Sequence, residues 1–136
     1  MYPPTTDKKI KNIGILVGGG PAPGINGVIH AVAMEACRNH CEVFGIYDGF
    51  RHLMEGHLEG LPLPPERVAY IYAEGGSILR SARANPTRSL NSLKQCGFVL
   101  QKAGIHALVS IGGDDTAYSA SRLASYAIGY NLVSAS

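Results

Sequence analysis

Long apolar runs, basic tracts and patterned cysteines are all missing from this chain of 136 residues. The formal charge is only +2, and the basic residues are scattered rather than clustered, so a nucleic-acid surface is not expected. No apolar run approaches the roughly 20 residues that a membrane span requires, so no membrane association is expected either. The stretch from Met1 to Asn12 is polar and cannot supply the apolar core of a signal peptide. The three cysteines, Cys37, Cys41 and Cys96, follow no metal-ligand spacing. Their odd number, without a secretory signal, points to reduced thiols in a cytoplasmic protein. His30, His40, His52, His57 and His106 show no paired ligand spacing, which argues against zinc.

What the chain does have is an apolar fraction of 46% beside 16% charged residues, the balance of a globular domain with a real core. Residues 13–17, Ile-Gly-Ile-Leu-Val, read as a buried strand running straight into glycines. From about Gly24 a helix is expected, because Ile25, Val28, Ile29, Val32, Ala33, Ala36 and Cys37 share one 3.6-period stripe. A strand at Glu42 to Tyr47, a short helix around Gly49 to Met54, a surface connection at Gly60 to Pro65 and a short strand at Val68 to Tyr72 follow. Arg88 to Ala103 reads as a helix with Gly104 as its C-cap. A strand over 105–111 and a helix from Thr116 to about Ala127 complete the run. Strand, glycine turn and helix in repeated order imply an α/β fold, a parallel sheet flanked by helices in the Rossmann-like manner.

Three turns carry the chemistry. The first, Gly18-Gly19-Gly20-Pro21-Ala22-Pro23-Gly24, lets backbone N–H groups approach an anion at a helix N-terminus. Its spacing fits neither the dinucleotide fingerprint nor the Walker A loop, where Ile25 replaces the lysine. It can equally be an ordinary strand-to-helix turn. The second, Gly75 to Arg83, combines flexible backbone and hydroxyls with two guanidinium groups, Arg80 and Arg83, whose forks match phosphate oxygens. Pairing of those arginines with nearby acids is the plain alternative. The third, Gly112-Gly113-Asp114-Asp115-Thr116, sets two carboxylates after the apolar run Ile105 to Val109. Such a pair can hold magnesium, or simply cap the helix that follows.

Together these turns resemble the phosphofructokinase family, in order and in spacing, over about residues 10–125. The segment Phe44-Gly45-Ile46-Tyr47-Asp48-Gly49-Phe50 also looks like that family's second strand and following turn. The resemblance implies the N-terminal part of the phosphofructokinase fold. It implies transfer of a phosphoryl group from pyrophosphate, or from ATP, to fructose 6-phosphate in glycolysis, with Mg2+ as cofactor. By carry-over, Gly19, Gly20, Arg83, Gly113, Asp115 and Thr116 would bind the phosphoryl donor and Asp114 the metal. ATP-using relatives typically have glycine where Asp115 stands. A carboxylate there crowds a nucleotide's α-phosphate but admits the shorter pyrophosphate, so the pyrophosphate-dependent branch is favoured. Full-length members are homo-oligomers.

The resemblance divides the chain into an extension (1–12), a donor-binding α/β domain (13–127) and an atypical tail (128–136). The Thr-Ile-Asp-Asn-Asp type motif that carries the family's base does not occur in these residues, nor does its Met-Gly-Arg segment. A chain cut short of its substrate half is therefore expected, with the catalytic base unassigned. An ATP-dependent enzyme, or a non-catalytic magnesium-phosphate-binding remnant or partner subunit, are the other expectations.

Overall fold

The computed structural model describes residues 12–19, 24–71, 77–105, 107–126 and 131–135, with residues 125–126 and 131–135 described by backbone alone. Among these residues five strands form one sheet: β1 (Asn12–Val17), β2 (Glu42–Ile46), β3 (Gly60–Pro62), β4 (Ala107–Ile111) and β5 (Asn131–Ala135). Their spatial order is β3-β2-β1-β4-β5. β1 pairs in parallel with β2 and β4, and β4 pairs in parallel with β5. β3 runs antiparallel to β2, so the sheet is mixed rather than wholly parallel. Among the described residues five α-helices accompany it: α1 (Ile25–Arg38), α2 (Arg51–Met54), α3 (Pro65–Val68), α4 (Leu90–Lys102) and α5 (Asp114–Tyr126).

The central strands are apolar on both faces because helices cover both. β4, Ala-Leu-Val-Ser-Ile, is buried at every position. The two-residue period of a strand divides its neighbours between two cores. Ile15, Val17, Val109 and Ile111 meet Ile25, Ile29, Ala33 and Ala36 of α1 on one face. Leu16, Ile46 and Leu108 meet Leu53 of α2, with Leu93, Cys96 and Leu100 of α4 and Ala120 and Leu123 of α5, on the other. α4 is capped at both ends. The Ser89 side chain accepts from the Ser92 N–H at 3.0 Å, and Gly104, at φ 76°, closes the C-terminus as expected. There the N–H groups of Gly104 and Ile105 bond back to the carbonyls of Gln101 and Leu100, both at 3.0 Å.

Two local expectations are corrected. The connection over 60–65 contains β3, which accommodates proline because it lies at a sheet edge. Val68 closes α3 instead of opening a strand, since Pro65 fits the first turn of a helix; Tyr72 lies outside the described residues. β5 falls within residues 128–136.

Strand order reverses direction about β1: the chain moves from β1 outward to β2 and β3, then crosses to β4 on the other side. The crevice beyond the carboxyl ends of β1 and β4 is therefore the switch point where such sheets hold ligands.

Candidate functional site

The turns after β1 and β4 stand side by side at that crevice. The Gly18 N–H donates to the Ile111 carbonyl at 2.8 Å, which prolongs the pairing beyond both strands. Thr116, 7% exposed, projects from the first turn of α5 into the gap between them. A Cβ at Gly112 would stand 2.5 Å from Thr116 Oγ1 and 2.8 Å from the Gly18 carbonyl oxygen, so neither turn admits a side chain at this junction. Gly19 adopts φ 80°, a backbone state that L side chains seldom take. At Gly113 no heavy atom lies within 4 Å of a built Cβ, which leaves open space over the start of α5.

The arginine loop closes the crevice from above. Ala82 bridges to Gly18, and the Gly19 N–H donates to the Ala82 carbonyl at 3.4 Å. Farther back the loop is tied to α1, where buried Asn26 accepts from the Ile78 N–H at 2.9 Å through Oδ1. It is tied to the turn after β2 as well: the Asp48 N–H donates to the Leu79 carbonyl at 3.0 Å. Asp48 Oδ2 accepts from Arg80 at 3.0 Å and lies 2.9 Å from His52 Nε2. The Arg80 guanidinium also lies over the Tyr47 ring, 4.2 Å from its centroid.

Between the three turns lies an open cavity of about 650 Å³. Gly19, Arg83, Gly113, Asp114, Asp115 and Thr116, all named from the sequence, line it together. Gly20 lies outside the described residues, as do Gly75 and Gly76. The two arginines of the loop part company: Arg83 faces the cavity, whereas Arg80 is committed to Asp48 and Tyr47. The acid pair lies within the first turn of α5, two residues earlier than expected, where the helix dipole favours negative charge.

Five lining residues were not singled out from the sequence for a site: Phe50, Ala84, Asn85, Arg88 and Ser119. Ser119 had a usable signal, since it follows Asp115 by four residues on one helix face. Arg88 is aimed by an Asx turn. Asn85 Oδ1 accepts from the Thr87 N–H at 2.9 Å and starts a 3₁₀ turn over Pro86–Arg88, bringing a second guanidinium to the wall. Two cations thus face two carboxylates across one cavity that also presents the N-terminus of a helix, a combination suited to a polyanion with its metal ion.

A family model described as phosphofructokinase matches residues 12–135. The chain belongs to the phosphofructokinase family. Among curated proteins it is similar to a pyrophosphate–fructose 6-phosphate 1-phosphotransferase of Thermotoga maritima, with 55% identity over 114 residues. That alignment covers 83% of this chain and 27% of the relative. An enzyme of the same name from Naegleria fowleri is 47% identical over 120 residues, 88% of this chain and 28% of that protein. An ATP-dependent 6-phosphofructokinase of Vibrio campbellii is 40% identical over 114 residues, 84% of this chain and 35% of that one. The chain thus spans about a quarter to a third of the length of these phosphofructokinases. Among solved structures, the Pichia pastoris phosphofructokinase in the T-state superposes with a TM-score of 0.80 at 28% identity, covering 93% of this chain and 15% of that one. No helix among the described residues is long and apolar enough to cross a membrane.

Proposed function

We propose that this chain is the donor-binding part of a pyrophosphate-dependent 6-phosphofructokinase, acting in the cytoplasm in glycolysis. The observation that carries the reading is the shared cavity, which gathers residues from three turns far apart in sequence. In this reading the backbone at Gly19 and Gly113 lies against the phosphates of the donor, and Thr116 supports the floor. Arg83 neutralises and orients the phosphate oxygens, and Arg88 adds a second cation.

Magnesium takes oxygen ligands and commonly binds through one or two carboxylates shared with substrate phosphates and water. Asp114 and Asp115, exposed and adjacent on α5, match that donor set. No group of three His, Cys, Asp or Glu that could hold a metal ion occurs among the described residues, so a shared ion suits this site better than a closed protein cage. In the proposed site Asp114 holds the ion, which when bound would neutralise charge on the transferred phosphoryl group. Fructose 6-phosphate as acceptor, and assembly with further copies, extend the same reading.

Asp115 on the cavity wall favours pyrophosphate, because its carboxylate meets the additional phosphate and sugar of a nucleotide with like charge and bulk. The 40% identity to an ATP-dependent enzyme keeps ATP as the second reading. Calorimetric titration of the purified chain with magnesium pyrophosphate and with magnesium ATP tests both. Saturable binding of pyrophosphate, at least about tenfold tighter than ATP, is expected. Tighter ATP binding overturns the choice of donor, and binding of neither overturns the site.

A further inference from the structure

We infer that Asp48, which lines no part of the cavity, is a positioning residue for the donor, holding the loop that delivers Arg83. The inference rests on the donor-binding reading of the cavity. Asp48 stands two residues past the end of β2 and adopts φ 58°, while Arg80, its partner on the arginine loop, adopts φ 57°. Both are non-glycine residues in the left-handed region, a state that persists only where surrounding contacts impose it. The Asp48 side chain, 16% exposed, holds Arg80 at 3.0 Å and faces His52 at 2.9 Å, while its N–H fixes the Leu79 carbonyl.

The next residue completes the device. Gly49 is wedged under the end of β1, where a Cβ would lie 3.0 Å from the Val17 carbonyl oxygen and 3.4 Å from that of Ala82. Ala82 immediately precedes Arg83. The turn after β2 is therefore a backstop for the arginine loop, and the Asp48–Arg80 pair is the fastening that presses the loop onto it. Releasing that pair lets residues 79–83 relax from a strained path, and Arg83 moves with them. Arg80 contributes through Asp48 and the Tyr47 ring rather than by facing the ligand.

The experiment is a thermodynamic cycle on the full chain with magnesium pyrophosphate as the probe, read by calorimetry below the melting temperature. Asp48→Asn keeps the shape and removes the charge. It is expected to raise Kd about tenfold, with Arg80→Ala doing the same. The double variant is expected to bind no more weakly than either single one, because both break one fastening. Arg80 is more than half exposed, so Arg80→Ala keeps the question open to measurement even if Asp48→Asn folds poorly. Unchanged Kd in the variants, with only a lowered melting temperature, overturns the inference and leaves Asp48 a purely structural residue. Fully additive losses overturn it too. Arg83→Ala separates the two levels: if it binds pyrophosphate like the unsubstituted chain, or if that chain does not bind, the donor site itself is wrong and the inference falls with it.

Discussion

The side chain of Thr116 occupies the space in which a Cβ on Gly18 would have to stand. Gly18→Ala is therefore expected to destabilise the fold by about 1–3 kcal/mol through overpacking. Removing the obstructing group in Thr116→Ala should recover part of that loss in the double variant. Gly112→Ala behaves differently, because its Cβ would also press on the Gly18 carbonyl oxygen, a backbone atom that no side-chain truncation removes. Urea unfolding of the three single variants and of Thr116→Ala combined with each glycine substitution measures both outcomes, and equal rescue of Gly18→Ala and Gly112→Ala would contradict this packing.

Arg83→Ala and Arg88→Ala each take one guanidinium from the cavity wall. Each should weaken pyrophosphate binding about tenfold, toward the lower end for a charge-assisted contact because both side chains are exposed. Binding should also lose part of its salt dependence in each variant, which titrations at two ionic strengths would detect.

Asp115→Gly removes a carboxylate and opens the wall beside Gly113, where a side chain would already meet no neighbour. The expected result is a shift of about tenfold in the ratio of ATP to pyrophosphate affinity, in favour of ATP. An unchanged ratio would show that donor choice is made by other residues.

Cys96 is fully buried in α4, and burial pushes its thiol up from 9.0 to about 12. Below pH 9 both folded and unfolded chains keep this proton, and the thiol leaves stability unaltered. Between pH 9 and 12 the unfolded chain loses the proton while the folded chain retains it, so stability falls as pH rises, by up to about 1.4 kcal/mol per unit. Denaturant unfolding from pH 8 to 10.5 should show a steeper decline for the unsubstituted chain than for Cys96→Ala. Thiol labelling at pH 8 should reach exposed Cys37 rapidly and Cys96 only on unfolding.

Much of this was legible because the signals were long and periodic. The apolar runs of β1 and β4, the stripe of α1 and the glycine after α4 each have a local cause that a sequence displays. β3 had none: Gly60-Leu61-Pro62 is too short for a period, and it becomes a strand only by pairing with Phe44 to Ile46. The run beginning at Val68 was ambiguous between strand and helix, as short apolar runs are, and Pro65 decided it. The lining of the cavity by the turns was legible through their positions at strand ends. The division of labour between Arg80 and Arg83 was not, because it depends on Asp48, a residue brought near by the sheet. Arg88 was hidden for the same reason, its direction being set by the turn at Asn85.

The register that sets Ile13 beside Ala107 also decides when the cavity can exist. Those partners lie about two-thirds of the chain apart, so the pairing of β1 with β4 closes the largest loop in the sheet and forms against the greatest entropic resistance. The first and third turns become neighbours only after that closure. A donor that binds the finished crevice acts after the slow step, so added pyrophosphate should lengthen the lifetime of the folded chain while leaving its refolding rate unchanged.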